Sequence, residues 1–191
     1  LMARETLPVT FVSYDGTTRS NVTLLDTGNQ HETHVIEKSS GLTPEIVDAI
    51  ATTVCARINE GDFVVFAGSL PDDTRADTYA RMMPCVRERG ALTVLSVTPE
   101  GMAQGIEGGP DLLAITQTEL EGYFNHPVRT EEDILYCGDR LLEKGVGQVL
   151  VIQLDGHAML MVEGSIWHLT FQEDTLGTHS GVKEAVLAGY L

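Results

Sequence analysis

The C-terminal segment has the residue types of a phosphate-handling turn. It is "DTLGTHSGVKEAVLAGYL", with glycines at Gly177 and Gly181 ahead of a helical pattern. Such a turn presents bare backbone N–H groups at a helix N-terminus, where the helix dipole also favours negative charge. Between the two glycines there is no carboxylate to accept a proton; the chain has Thr178, His179 and Ser180 there. The segment therefore predicts anion binding and leaves open which group does the proton chemistry.

Alternating strand and helix patterns predict the elements that would position this turn. The continuous apolar runs "FVVFAG", "LTVLSV", "DLLAIT" and "QVLVIQL" alternate with helical segments, and "AMLMVEG" and "SIWHLT" are typical of a hairpin. Thr43 and Pro44 begin one helix, and Thr130 with Asp133 forms a capping box on another. Unbroken apolar strands of this kind are typical of a parallel sheet covered by helices on both faces. Ligands of such α/β sheets bind beyond the carboxyl ends of the strands, which directs attention to "GSLPDD", "SVTPEG", "TQTE", "LDGH" and "GTHSG".

Residues 8–40 are predicted to form a small antiparallel sheet attached to this core. The runs "VTFVSY", "SNVTLLDT" and "THVIE" are rich in β-branched and aromatic residues, and the turns "DGT" and "TGNQ" separate them. The sequence therefore predicts three short strands here and an α/β unit over residues 41–191.

Composition restricts the partners. With 12 Lys+Arg against 28 Asp+Glu, the formal charge of -16 disfavours nucleic acid and anionic lipid. No apolar stretch is long enough for a membrane span or a signal peptide, so we expect no membrane partner and a cytoplasmic location. Cys55, Cys85 and Cys137 form no CxxC pair. We therefore expect small buried thiols in a reducing compartment, with neither a disulfide framework nor a zinc site.

Four segments, in this order, resemble the ribokinase-like (PfkB) family of carbohydrate kinases. They are "DGTTRSNVTLLD", "VVFAGSLPDDTRADTYARMM", "PDLLAITQTELEGYF" and "TLGTHSGVKEAVLAGYL", and they look most similar to the 1-phosphofructokinase and tagatose-6-phosphate kinase branch. The resemblance implies a three-layer α/β/α sandwich with a mostly parallel sheet and an antiparallel β lid over residues 8–40. It implies phosphoryl transfer from ATP, with Mg²⁺, to a hydroxyl of a sugar phosphate. Because lids of this family often pair between subunits, it also implies a homodimer.

The resemblance assigns acceptor contacts to Arg19 and Asn21 of the lid and to Gly68 and Ser69 of the Gly-Ser-Leu-Pro segment. These assignments are chemically reasonable, since an arginine binds phosphate through two parallel N–H donors and a hydroxyl beside a glycine lets a sugar approach closely. An isolated arginine in a surface salt bridge is the alternative for Arg19.

The resemblance assigns phosphate and nucleotide contacts to Thr116 and Glu119, the family's Asn-x-x-Glu pair, and to Gly177, Thr178 and Gly181. Glu119 alone would serve equally well as a helix N-terminal residue.

The family's catalytic aspartate aligns with Ser180. A positioned general base contributes roughly 10²- to 10⁴-fold, so a serine there predicts a loss of about 3 to 5 kcal/mol of transition-state stabilisation. His179 could replace the aspartate as general base, because histidine side chains have pKa values near neutrality. The alternative is that His179 is a solvent-exposed loop residue with no catalytic role.

Further departures leave three functions open. The resemblance places Ala114 at a family lysine and His157 at a later glycine. It also places Ile152, Gln153 and Leu154 at a step that lies against the nucleotide, which implies bulky side chains where ATP needs room. No match is found to the family's segment before the lid or to its last helices. The chain is therefore expected to be an impaired sugar-phosphate kinase, a catalytically inactive pseudokinase that binds sugar phosphate or a partner, or an incomplete domain.

Overall fold

Strands and helices alternate along most of the chain. The computed structural model describes residues 8–26, 28–29, 31–153, 155–171 and 181–191. The helices are α1 (Pro44–Cys55), α2 (Thr78–Glu88), α3 (Pro99–Ile106), α4 (Gln117–Phe124), α5 (Glu131–Glu143) and α6 (Val182–Tyr190). The strands are β1 (Asn21–Asp26), β2 (His31–Ile36), β3 (Phe63–Ala67), β4 (Leu92–Ser96), β5 (Leu112–Thr116), β6 (Gln148–Ile152), β7 (His157–Val162) and β8 (Ser165–Thr170). Within these ranges, no helix has the length and apolar character that crossing a membrane requires.

The core sheet has six strands in the order β3-β4-β5-β6-β7-β8. Strands β3 to β6 are parallel, and β7 and β8 follow as antiparallel neighbours. The four apolar runs and the hairpin recognised in the sequence are these six strands. With helices on both faces and a separate two-stranded sheet, the predicted three-layer α/β/α architecture with a small antiparallel sheet is confirmed.

Helices α1 to α5 all pack on one face of the sheet. Right-handed crossovers between parallel strands laid down in sequential order place every connecting helix on the same side. The main core forms on this face, where Phe66, Leu95, Leu113 and Val149 of successive strands meet the buried faces of the helices.

The opposite face is covered by α6 alone among the described helices. Leu187 of α6 packs on this face with side chains such as Val94 and Leu150. At the β3 edge the cover ends, and Phe63, Val65 and Leu92 are 45%, 42% and 42% exposed. Among the described helices, five therefore cover one face of the sheet and one covers the other.

A buried polar contact joins β4 to β5 at the end of the sheet opposite the carboxyl ends of the strands. Oδ2 of Asp111 accepts hydrogen bonds from the backbone N–H and the hydroxyl of Thr93, at 2.7 Å and 2.6 Å. The backbone N–H of Asp111 in turn donates to the Thr93 hydroxyl at 3.1 Å. Thr93 is fully buried, so these bonds satisfy polar groups that would otherwise destabilise the core.

Two lid strands, β1 and β2, form the small sheet. They pair antiparallel with each other, Asn21 opposite Ile36 and Asp26 opposite His31. The prediction of a third strand at "VTFVSY" is wrong: residues 9–14 are irregular, and Phe11 is 80% exposed. β-branched residues favour a strand only where a neighbouring strand accepts its hydrogen bonds, and residues 9–14 have no such partner among the described strands.

The cysteine prediction is wrong for two of the three residues. Cys55 at the end of α1 and Cys85 in α2 are paired as a disulfide, with Cα atoms 6.3 Å apart. The two helices pack side by side, which brings together cysteines 30 residues apart that no local motif links. Cys137 is a buried free thiol, as predicted, and burial raises its pKa.

Candidate functional site

Most of the predicted site residues that the structure describes lie where the parallel strands end. Gly68 and Ser69 follow β3, and Thr116 ends β5 and caps α4. Because β4 lies between β3 and β5, the two strand ends are separated by about 10 Å across the sheet. This spacing suits two clusters of side chains on one substrate-sized surface.

The first cluster brings the lid to the core. Nη2 of Arg19 donates a hydrogen bond to Oγ of Ser69 at 3.1 Å, so two predicted acceptor residues 50 positions apart are in contact. Gly68 adopts a left-handed backbone conformation, φ +82°, which glycine tolerates best, and its N–H donates to the Ser96 carbonyl of β4 at 3.1 Å. The turn after β3 therefore presents Ser69 toward Arg19.

Tyr79 of α2 supports this cluster, a role that sequence reasoning missed. Its hydroxyl donates to the carbonyl of Ala67, the last residue of β3, at 3.0 Å, and its ring centroid lies 5.6 Å from that of Phe66. Burial raises the pKa of Tyr79, and the positive charge of Arg19 partly offsets this effect. The helical spacing of apolar residues predicts only that Tyr79 faces the core. Its hydroxyl group could have indicated the further role, because a buried tyrosine hydroxyl usually finds a hydrogen-bond partner.

Asn21 is not joined to this cluster by a hydrogen bond. It opens β1, is exposed and pairs across the lid with Ile36. Among the described residues, its side chain makes no hydrogen bond that would orient it toward Ser69. Its role in acceptor binding therefore stays a prediction.

The second cluster links the N-termini of α4 and α6. Thr116 and Glu119 form a capping box: the Thr116 hydroxyl accepts from the Glu119 N–H at 3.1 Å, and Oε2 of Glu119 accepts from the Thr116 N–H at 2.8 Å. Nζ of Lys183, in the first turn of α6, donates to Oε1 of Glu119 at 2.7 Å. Gly181, with φ +87°, precedes α6 as its N-cap. Sequence reasoning missed Lys183, because the family resemblance assigns no role to its position.

These residues do not fit a magnesium ion at Glu119. One carboxylate oxygen accepts a backbone N–H and the other an ammonium group, whereas Mg²⁺ demands near-octahedral oxygen coordination. Over the described ranges, no group of three or more His, Cys, Asp or Glu side chains is arranged to hold a metal ion.

The predicted residues of the C-terminal turn stay predictions. Gly177, Thr178, His179 and Ser180 lie outside the described residues, and so does Leu154. Ile152 is fully buried on the face covered by α6, and His157 opens β7 with an exposed side chain. Crowding of a nucleotide by these positions also stays a prediction.

Comparison with known sequences identifies the family that the chain matches. A model described as "pfkB family carbohydrate kinase" matches residues 1–179. The chain is 27% identical over 190 residues to 1-phosphofructokinase of Bacillus subtilis, across 100% of this chain and 61% of that protein. It is 24% identical over 155 residues to D-tagatose-1-phosphate kinase of Bacillus licheniformis, across 78% of this chain and 48% of that protein. The chain thus spans about half to three fifths of the length of these curated relatives.

Comparison with solved structures agrees on the fold. Phosphofructokinase-2 of Escherichia coli, solved in complex with substrates and products, matches with a TM-score of 0.82 and 17% identity, over 100% of this chain and 64% of that one. At this level of identity the likeness supports the architecture alone.

The environment of Tyr79 predicts a specific pH dependence. A raised pKa in the folded chain contributes stability that is present below the ordinary tyrosine value, about 10, and is lost as the pH rises through the folded pKa. Tyr79→Phe should therefore lose less stability than the unmodified chain when the pH rises above about 10. At neutral pH, the lost hydrogen bond to Ala67 should cost about 0.5–1.5 kcal/mol.

Urea unfolding at neutral and alkaline pH, with tyrosinate absorbance recorded alongside, measures both effects. Tyr136→Phe is the control, because Tyr136 is 58% exposed. Identical alkaline destabilisation of the unmodified chain and Tyr79→Phe would contradict the assignment.

Proposed function

The chain belongs to the pfkB family of carbohydrate kinases, and we propose that it binds a sugar phosphate of the 1-phosphofructokinase type through Arg19 and Ser69. The observation that carries this proposal is the 3.1 Å contact between these side chains, which joins the lid to the end of β3. The names of two relatives, 1-phosphofructokinase and D-tagatose-1-phosphate kinase, indicate phosphorylated ketohexoses as the first ligands to test.

The chemistry of the two side chains suits such a ligand. Arg19 donates one guanidinium N–H to Ser69 and has further donors for the oxygens of a phosphate. The hydroxyl of Ser69 accepts that bond and still has its own proton to donate to a sugar oxygen. Gly68 carries no side chain, which allows the sugar to approach the backbone closely.

The proposed reaction is phosphoryl transfer, slow in this chain. ATP, when bound, supplies the phosphoryl group. The sugar hydroxyl oxygen forms the new bond to phosphorus as the bond to the ADP oxygen breaks, and the hydroxyl proton goes to a base. Ser180 aligns with the family's base, and a serine hydroxyl does not hold that proton near neutral pH. His179 is the candidate substitute, since the pKa of a histidine lies near neutrality.

Sugar-phosphate binding without transfer is the second candidate function. The observation that favours it is the pairing of Glu119 with Lys183, because this carboxylate is then not available to a metal that would assist transfer. On this candidate, acceptor binding at Arg19 persists and turnover is absent.

Arg19→Met should weaken binding of fructose 1-phosphate by about 10- to 100-fold, because a hydrogen bond to a charged group contributes about 1.5–3 kcal/mol. Isothermal titration calorimetry with fructose 1-phosphate and tagatose 1-phosphate measures this change. Arg140→Met is the matched control, since Arg140 is exposed on α5 and pairs with Glu143. Equal affinities in the unmodified chain and Arg19→Met would refute the acceptor site.

A coupled ADP-release assay separates the two candidate functions. We expect turnover by the unmodified chain to be about 10²- to 10⁴-fold below that of Ser180→Asp, the contribution of a positioned base. Residual turnover that disappears in His179→Ala would identify His179 as the base and exclude the binding-only candidate. No turnover in either the unmodified chain or Ser180→Asp, with sugar-phosphate binding intact, would exclude the kinase candidate.

The lid strands are proposed to pair two copies of the chain. Val22, Leu24 and Val35 lie on one face of the lid and are 49%, 56% and 54% exposed. Burial of apolar side chains of this kind favours association by about 25 cal/mol per Å², before the entropic cost of bringing two chains together is subtracted. A dimer is expected by light scattering, and Val22→Asp with Val35→Asp should convert it to a monomer. A monomer at all concentrations of the unmodified chain would contradict this proposal.

A further inference from the structure

An ion pair holds the N-termini of α4 and α6 together. Lys183 and Glu119 are 64 residues apart in sequence, yet the ammonium nitrogen lies 2.7 Å from Oε1 of the carboxylate. Their side chains are only 13% and 21% exposed. The pair is thus largely shielded from solvent. This distinguishes it from the more exposed ion pairs Arg75–Asp77, just before α2, and Arg140–Glu143 in α5.

The carboxylate of Glu119 has both oxygens committed to the protein. Oε2 accepts the Thr116 N–H at 2.8 Å as part of the capping box, and Oε1 accepts from Lys183. The capping box fixes the side-chain direction, so Oε1 points toward the first turn of α6. The ammonium group already neutralises this charge, and a divalent cation next to it would be repelled.

We propose that the ammonium group of Lys183 occupies the position beside Glu119 that a divalent metal ion would otherwise take. Glu119 is then a positioning residue that anchors the N-terminus of α6 to α4. The metal expected from the family resemblance has no site at this carboxylate. This inference goes beyond the proposed function, since it holds whether or not the chain transfers a phosphoryl group.

Equilibrium dialysis against Mn²⁺, with and without ADP, tests the metal part of the proposal. The number of Mn²⁺ ions bound per chain should be the same for the unmodified protein and for Glu119→Gln, because Glu119 holds none. A glutamine preserves the capping box at this position, so the variant changes the charge and keeps the helix start. A Mn²⁺ ion that the unmodified protein binds and Glu119→Gln does not would overturn the proposal.

A double-mutant cycle of thermal unfolding tests the anchoring part. Lys183→Met and Glu119→Gln should each lower the melting temperature, and the double variant should lose less than the sum, because each single variant already breaks the same pair. Lys183→Arg should retain most of the stability. Lys38→Met is the matched control, since Lys38 is an exposed lysine next to the lid. Strictly additive losses would overturn the anchoring role.

The outcomes of these two measurements do not depend on the proposed function. Metal binding and unfolding are measured without sugar phosphate, so loss of the Arg19 site leaves them unchanged. If Lys183→Met does not fold, Lys183→Gln completes the cycle, because it removes the charge and keeps a polar side chain. Lys183→Gln should lower the melting temperature less in the Glu119→Gln background than in the unmodified chain; equal losses in both would count against the pair.

Discussion

Backbone hydrogen bonding between the parallel strands β3 to β6 is the constraint on which the site depends. Because neighbouring strands run in the same direction, their carboxyl ends lie along one edge of the sheet. Ser69 and Thr116 come to that edge for this reason alone. The sequential strand order also sends helices α2 to α5 to one face, and the opposite face is left to α6 among the described helices. The position of α6, and with it Lys183, follows from that asymmetry.

Positive charge is scarce in this chain, and its placement is informative. The formal charge of -16 gives the molecule a field that opposes anionic ligands at long range. Local cations must therefore compensate at any phosphate site. Arg19 approaches the end of β3 and Lys183 the end of β5. Arg19 is hydrogen-bonded to a neutral serine and retains its charge for a ligand, whereas the charge of Lys183 is balanced by Glu119.

Membership in the carbohydrate kinase family is compatible with the proposed departure from its chemistry, because the two depend on different residues. The strands and helices that define the family fold require apolar periodicity and caps, which tolerate wide substitution. Catalysis, in contrast, requires particular functional groups at particular positions. The proposed replacement of a metal ion by the Lys183 ammonium group at Glu119 requires no change in the sheet or the helices; it concerns only what the edge of the sheet can bind.

The sequence by itself determined the strands of the core sheet, the helices, the capping box of Thr130 and Asp133 and the Gly-Ser-Leu-Pro turn, because apolar periodicity and cap residues report local backbone geometry within a few positions. The second capping box, at Thr116 and Glu119, emerged only from the structure. It named Arg19, Ser69, Thr116 and Glu119 through family resemblance. Only the tertiary structure decided that Arg19 contacts Ser69, that Lys183 pairs with Glu119 and that Cys55 pairs with Cys85. It also decided that "VTFVSY" has no partner among the described strands. These contacts join residues 30 to 64 positions apart, and they depend on strand order and helix packing, which no local pattern encodes.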